Sequence, residues 1–115
     1  MNFNNFTIKA QEAIQTAVNR VQSLGQQAIE PIHILNAILA TSEQIASFLM
    51  RKTGANLQLI KEQAEQTEKN CPKVSGGEPY LSRESNEVLT KANSISKEMG
   101  DEYTSIEPIF LALLT

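Results

Sequence analysis

The chain contains the same helical pattern twice, and this repeat limits its possible folds more than any other feature. Gly25 and Gly100 each follow an apolar stripe of helical spacing, so both glycines predict the end of a helix. Thr7 and Ser82 precede the same two stripes, where a hydroxyl group can cap a first turn. Aligning Gly25 with Gly100 therefore pairs the two copies residue by residue without a gap, and we call this alignment the glycine register.

A second register competes with this one. The tripeptide Ile-Glu-Pro occurs at Ile29 and again at Ile106, and pairing these two isoleucines would shift the copies by a different amount. That register needs an insertion and loses the match between caps, glycines and apolar stripes. We therefore choose the glycine register and interpret the shared tripeptide as a coincidence.

The first copy predicts four helices, which begin near Thr7, Pro31, Ser42 and Asn56. Residues 70–80 contain two Pro and two Gly without helical periodicity, which is typical of a linker. From residue 81 the pattern of the first two helices returns. The prediction is one all-α domain of pseudo-duplicated four-helix repeats, with residues 1–69 as the first repeat and 81–115 as half of the second.

The second copy stops after its second helix, so we expect the chain to be a fragment of a longer domain. The last predicted helix has no stop signal and carries Ile109, Phe110, Leu113 and Leu114. We expect one or more of these side chains to face solvent. Such a surface favours self-association through residues 105–115.

Charge and hydropathy exclude several classes of function. The net charge of −3 is spread along the chain without a basic stripe, so nucleic acid is not an expected partner. No apolar run approaches the roughly 20 residues that span a membrane, and the Asn-rich start is unlike a signal peptide. These features favour a cytoplasmic protein that does not bind membranes.

The sequence contains no recognisable catalytic or metal-binding group. His33 lies between Ile32 and Ile34 without an acidic or hydroxyl partner at catalytic spacing, and it is interpreted as a packed helix residue. Cys71 has no second thiol or histidine nearby with which to share a metal. The acidic residues of the fourth helix are typical of a solvated face. They are Glu62, Glu65 and Glu68. The prediction is a binding module rather than an enzyme.

The motifs of both copies resemble the double-repeat N-terminal domain of Clp ATPases. The resemblance covers the whole chain and is carried by Phe6-Thr7, Gly25, Ile32-His33-Ile34-Leu35, Gly100-Asp101 and Leu111-Ala112-Leu113-Leu114. Within the family, the linker stretch Pro72-Lys73-Val74-Ser75-Gly76-Gly77 and the tripeptide Ile29-Glu30-Pro31 are most similar to the ClpB disaggregase branch. The protease-associated ClpC and ClpA branches remain alternatives.

The resemblance implies a substrate-recognition domain fused ahead of two AAA+ rings in a hexameric parent protein. ATP and Mg would then belong to those rings, and no cofactor is expected in this chain, which lacks a Walker motif. The implied partners are exposed apolar segments of unfolded or aggregated protein. The alternative is a domain that docks an adaptor or a degron for a Clp protease.

The resemblance also implies a binding groove where the two copies meet. Its polar trio matches Thr7, Asp101 and Glu107, and its apolar lining matches Leu89 and Pro108. Each residue of the trio, and Leu89, also has a purely structural interpretation. Thr7 is a plain N-cap, Asp101 a turn residue, Glu107 a favourable first-turn charge and Leu89 a core residue. Pro108 departs from the usual Leu or His of the family and stiffens the start of the last helix.

Overall fold

The computed structural model describes residues 3–54, 56–74 and 77–115, and within them six helices and two short strands. In chain order the elements are α1 Ile8–Ser23, β1 Ala28–Ile29, α2 Pro31–Thr41, α3 Glu43–Thr53, α4 Leu57–Lys69, β2 Tyr80–Leu81, α5 Arg83–Glu98 and α6 Ile106–Leu113. The all-α prediction is confirmed, and the described residues add one parallel strand pair that the sequence did not predict. In this part of the chain, no helix is long and apolar enough to cross a membrane.

The core lies between the first two helices of each copy, α1 with α2 and α5 with α6. Its larger members are fully buried isoleucines, and its smaller members are alanines that let the helix axes approach closely. The isoleucines are Ile14, Ile29, Ile34, Ile38 and Ile109. The alanines without exposed area are Ala10, Ala17, Ala37 and Ala92. The aliphatic composition of the sequence therefore suits this tight helix packing.

The backbone contacts between the copies follow the glycine register. Phe6 pairs with Thr104 in an isolated parallel bridge, and Ile29 pairs with Leu81 in the parallel strands β1 and β2. In the glycine register Phe6 is equivalent to Leu81, and Thr104 is equivalent to Ile29. Replacing each residue by its equivalent in the other copy therefore converts the first pair into the second. The same exchange relates the Thr7 amide bonded to the Thr104 carbonyl, at 2.9 Å, to the Ser82 amide bonded to the Ile29 carbonyl, at 3.1 Å. The copies are thus arranged about an approximate twofold axis.

Caps and glycines are also equivalent in the two copies. The Thr7 hydroxyl accepts from the Ala10 amide at 3.2 Å, and the Ser82 hydroxyl accepts from the Ser85 amide at 3.1 Å. At the other ends of α1 and α5, Gly25 and Gly100 have φ angles of 70° and 78°. These left-handed conformations favour glycine over any residue with a Cβ atom. The sequence signals that set the register are therefore the groups that terminate the helices.

Helix α6 leaves only part of its apolar surface in water. Leu114, which caps its end, is 62% exposed, as expected for at least one apolar side chain of this segment. Ile109 is 0% exposed and Phe110 is 3% exposed, so these two side chains do not face solvent. They lie in the core because α6 packs against α5 and α2. Leu111 is also exposed, at 44%. Self-association through this helix remains a prediction.

Candidate functional site

Two adjoining cavities lie where the start of α6, from the second copy, meets the first copy. One has a volume of about 740 Å³ and the other about 880 Å³. Together they are lined by residues 7–9, 40–45, 47, 48, 51, 105–107, 110 and 111, and we call this surface the groove. The residues that border both cavities are Glu43, Gln44, Ile45 and Glu107. The groove is therefore one continuous depression across the junction of the copies.

The apolar part of the groove comes from three helices. Ile8 of α1 is 75% exposed, Phe48 of α3 is 41% exposed and Leu111 of α6 is 44% exposed. Ile45 and Phe110 border the groove from the core beneath. The three exposed residues were not among the predicted site residues. For Phe48 and Leu111, the signal in the sequence was the number of apolar side chains on two short helices, α3 and α6, which is more than one buried face can cover.

The structure brings two of the predicted polar residues into the groove. Thr7 lines one cavity while its hydroxyl caps α1, so its structural role is confirmed and a binding role remains compatible with it. Glu107 is exposed in the first turn of α6 and borders both cavities. The parallel bridge between Phe6 and Thr104 places the start of α1 beside the loop before α6. This bridge explains why residues from opposite ends of the chain meet.

The third predicted polar residue lies elsewhere. Asp101 is exposed in the turn after α5 and lines neither cavity. Its amide donates to the Ser96 carbonyl at 3.0 Å. The equivalent hydrogen bond in the first copy joins the Gln26 amide to the Val21 carbonyl. In the structure, Asp101 therefore acts as a turn residue.

The two predicted apolar lining residues are buried. Leu89 is 5% exposed and belongs to the core cluster, and Pro108 is among the fully buried side chains. Both lie beneath the surface because α5 and α6 pack closely against each other. The groove in this structure is therefore lined by other residues. Leu89 and Pro108 can support its shape from within, but they offer no accessible area to a ligand.

A buried polar network fixes the start of α2. Because Nδ1 of His33 accepts from the Glu30 amide at 2.9 Å, the other ring nitrogen carries the proton and donates to Oε1 of Gln26 at 2.6 Å. The Gln26 amide group in turn donates to the carbonyl groups of Glu68 at 2.8 Å and Cys71 at 3.3 Å. Burial lowers the pKa of His33, although the charges of Glu68 and Glu30 oppose the shift. His33 is thus a packed structural residue, as the sequence indicated.

The same network contains a partly buried ion pair between α1 and α4. Nε and Nη2 of Arg20 donate to the two carboxylate oxygens of Glu68 at 2.7 and 2.6 Å. The hydrogen bond to Glu68 raises the pKa of Arg20. The Glu68 side chain is only 3% exposed, so the prediction of a solvated Glu68 is wrong. Glu62 and Glu65 of the same helix are exposed, as predicted.

The remaining reactive side chain is a half-buried thiol. Burial raises the pKa of Cys71, and the charges of Glu30 and Glu68 act in the same direction, so the thiolate form is disfavoured. Among residues 3–54, 56–74 and 77–115, no three His, Cys, Asp or Glu side chains are placed to hold a metal ion together.

Comparison with known proteins agrees with this fold. A family model, the Clp repeat N-terminal domain, matches residues 5–115. The chaperone protein ClpB of Bacteroides thetaiotaomicron is 61% identical over 115 residues, which is all of this chain and 13% of that protein. ClpB of Porphyromonas gingivalis is 48% identical over the same shares of the two chains. The chain thus spans 13% of the length of these curated relatives.

Solved structures show the same arrangement of helices. The Hsp104 N-terminal domain of Candida albicans superimposes with a TM-score of 0.86 at 26% identity, covering 96% of this chain and 74% of that one. The N-terminal domain of the ClpV1 ATPase of E. coli has a TM-score of 0.86 at 21% identity, covering 96% and 68%, and supports the fold alone. Since the family model matches nearly the whole sequence, the chain belongs to the Clp repeat N-terminal domain family, and ClpB chaperones are among its relatives.

Proposed function

We propose that the groove captures exposed apolar segments of unfolded or aggregated polypeptide. The observation that carries this proposal is the presence of Ile8, Phe48 and Leu111, three large apolar side chains exposed by 41% or more, around one depression. Exposed apolar area of this kind marks surfaces that bind other chains. A depression open to solvent suits an extended or helical segment of a client better than an enclosed small molecule.

Capture in this groove is weak and reversible. Burial of roughly 150 Å² of apolar client surface at about 25 cal/mol per Å² contributes about 4 kcal/mol. The loss of translational and rotational freedom on association offsets much of that gain. Weak capture suits a domain that must release its client again. Several such domains in one ring raise the overall affinity through avidity.

The wider role follows from the relatives, which are named as ClpB chaperones. We propose that the chain is the client-recognition part of an ATP-dependent disaggregase of hexameric form, working in the cytoplasm. The chain itself is then a binding module without catalytic activity. ATP and Mg would be bound by other domains of the parent protein.

The direct test is titration of a fluorescently labelled, reduced and alkylated protein with the chain, followed by fluorescence anisotropy. The double variant Phe48→Ser/Leu111→Ser should weaken binding by about tenfold, since two apolar contacts worth about 0.7 kcal/mol each are lost. Leu59→Ser is the matched control because Leu59 is 51% exposed on α4, outside the groove. Circular dichroism should show that both variants remain helical.

Two outcomes contradict the proposal. Equal affinity of the double variant and the unmodified chain would mean that clients bind at another surface. Saturable one-to-one binding of a folded partner, without affinity for the unfolded probe, would favour the adaptor-docking alternative.

A further inference from the structure

We infer that protonation of His33 releases residues 71–74, the beginning of the segment between the two copies, from the turn after α1. We call residues 71–74 the strap. The inference concerns the frame of the first copy and does not depend on client binding in the groove. It is carried by hydrogen bonds that run from the His33 ring through the Gln26 side chain to the strap.

The strap is held against the turn after α1 mainly by hydrogen bonds. The Val74 amide donates to the Gly25 carbonyl at 3.0 Å, and Lys73 forms an isolated antiparallel bridge with Gln26. The Gln26 side chain also donates to the Cys71 carbonyl at 3.3 Å. Within the strap only Cys71 is half-buried, and the other three residues are exposed. Because the strap buries so little apolar surface, these hydrogen bonds determine whether it stays docked.

Gln26 is the residue that joins the strap to the core. It is 6% exposed, and both ends of its side-chain amide group are bonded. Its oxygen accepts from Nε2 of His33 at 2.6 Å, and its nitrogen donates to the carbonyl groups of Glu68 and Cys71. Water does not readily replace a lost partner at a buried site, so the orientation of this amide group depends on the His33 ring.

The His33 ring fits its site only in the neutral form. Nδ1 accepts from the Glu30 amide at 2.9 Å, so a proton added to Nδ1 would point at another donor. The residue is 0% exposed, and a charged ring cannot be hydrated in this position. Protonation therefore moves the ring away from the Glu30 amide, and the Gln26 oxygen loses its donor.

The charges around the ring do not remove this conflict. Among the described residues, Glu68 on α4 and Glu30 before α2 favour the protonated ring, whereas Arg20 on α1 opposes it. Both carboxylate oxygens of Glu68 already accept from Arg20. On the strap side, the raised pKa of the Cys71 thiol keeps it uncharged. Burial is the largest influence on the ring, and it lowers the pKa of His33.

These opposing preferences make docking of the strap sensitive to acid. Release opens the site to water and returns the pKa of His33 toward its ordinary value of 6.5. The released form therefore binds a proton more readily than the docked form. Docking is fully stabilised above pH 6.5, and release is increasingly favoured as the pH falls toward the lowered pKa.

Amide hydrogen exchange followed by NMR measures release of the strap. After correction for the intrinsic pH dependence of exchange, protection of the Val74 amide should fall by about threefold or more between pH 7.5 and 5.5. The Ala17 amide, in the buried middle of α1, reports global unfolding in the same sample. Val74 should exchange faster than Ala17 at every pH, as expected for a local opening.

A second amide of the same segment is the matched control. The Tyr80 amide donates to the Gln27 carbonyl at 3.1 Å, so it also bonds to the turn after α1 but without the Gln26 side chain. Its protection should stay constant over this pH range. Because His33 is the single histidine of the sequence, no second imidazole contributes to the change.

Variants then assign the pH dependence to residues. His33→Gln should make the protection of Val74 independent of pH, whatever its absolute value. Gln26→Met keeps the imidazole but breaks its connection to the strap, so protection of Val74 should be low already at pH 7.5 and should no longer change with pH. The measurement on the unmodified chain stands even where a variant folds poorly.

Three results would overturn the inference. They are constant protection of Val74 from pH 7.5 to 5.5, an equal fall at Tyr80, and a fall in His33→Gln as large as that in the unmodified chain. Each would mean that the ionisation of His33 does not control docking of the strap.

Discussion

The two copies share their backbone contacts but differ in the side chains that fill equivalent positions. The first copy places Arg20, Gln26 and His33 in a buried polar network. In the glycine register the equivalent residues are Ile95, Asp101 and Pro108, so the second copy has no such network at these positions. Caps, left-handed glycines and inter-copy hydrogen bonds are nevertheless equivalent. The repeat is thus defined by how its helices begin and end, and the interior chemistry is free to vary.

The comparison of the two copies also explains why one apolar side chain of the groove is exposed. In the first copy Asn36 and Leu39 are buried, and the Asn36 amide group donates to the Ala64 carbonyl of α4 at 3.2 Å. The equivalent residues of the second copy are Leu111 and Leu114, which are exposed. Among the described residues no helix equivalent to α4 packs on this face of α6, so Leu111 is exposed and lines the groove. The difference between the copies thus supplies one of the three exposed apolar side chains of the groove.

The largest effect is expected from breaking the polar network of the first copy. Arg20→Met leaves the Glu68 carboxylate, which is 3% exposed, without its charged partner. The free energy of unfolding should fall by about 3 kcal/mol, since a buried charge that loses its partner is strongly destabilising. Urea denaturation followed by circular dichroism measures the change.

Two controls connect this result to the comparison. Ile95 shows that an apolar residue fits the equivalent position of the second copy, so Arg20→Met/Glu68→Leu should recover most of the lost stability. Arg83→Met, which breaks the exposed pair with Glu87, should change little. A loss of less than about 1 kcal/mol in Arg20→Met would contradict the buried pairing.

The equivalent caps should have equal structural effects and unequal functional effects. Thr7→Ala and Ser82→Ala each remove a hydroxyl that accepts one amide hydrogen, so each should lower the free energy of unfolding by about 1 kcal/mol. Only Thr7 lines the groove. Anisotropy titrations should therefore show weaker client binding for Thr7→Ala alone. Identical affinities for the two variants would restrict Thr7 to its capping role.

The smallest expected effect is a pH dependence of the free energy of unfolding that arises from His33 of the first copy. The pKa of His33 is lowered in the folded chain, so the unfolded chain binds more protons as pH falls below about 6.5. The stability that the neutral imidazole contributes is present above pH 6.5 and is lost as the pH approaches the lowered pKa. The equivalent Pro108 does not titrate.

Urea midpoints between pH 7.5 and 5.5 measure this dependence. The variant His33→Gln, which has no titrating side chain at this position, should give a flatter curve than the unmodified chain. Parallel curves for the two proteins would show that the protonation of His33 is not linked to folding.

Much of the fold was predictable because the signals are local. Thr7, Ser82, Gly25 and Gly100 determine helix ends by hydrogen bonds and backbone angles within a few residues, and the structure confirms all four. The strand pair between Ile29 and Leu81 was not predicted, since such short strands have no periodicity and form only when the copies dock. Local chemistry thus predicts the elements, and docking adds their contacts.

The site was less predictable because burial depends on distant partners. Glu68 belongs to a charged helix face, and only Arg20, far earlier in the chain, explains its burial. Resemblance aligned Leu89 and Pro108 with a groove, but alignment gives position along the chain and not depth in the fold. Phe48, by contrast, is exposed in the groove because a short helix buries only one of its faces.

Chemical-shift mapping by NMR tests the central claim most directly. The chain, labelled with ¹⁵N, is titrated with an unlabelled apolar peptide. The account predicts that amide signals of groove residues, including Ile8, Phe48 and Leu111, shift together in one saturable phase, while the signal of the exposed control Leu59 does not. Shifts centred on Leu59 and the rest of α4, or no saturable shifts in the groove, would contradict it.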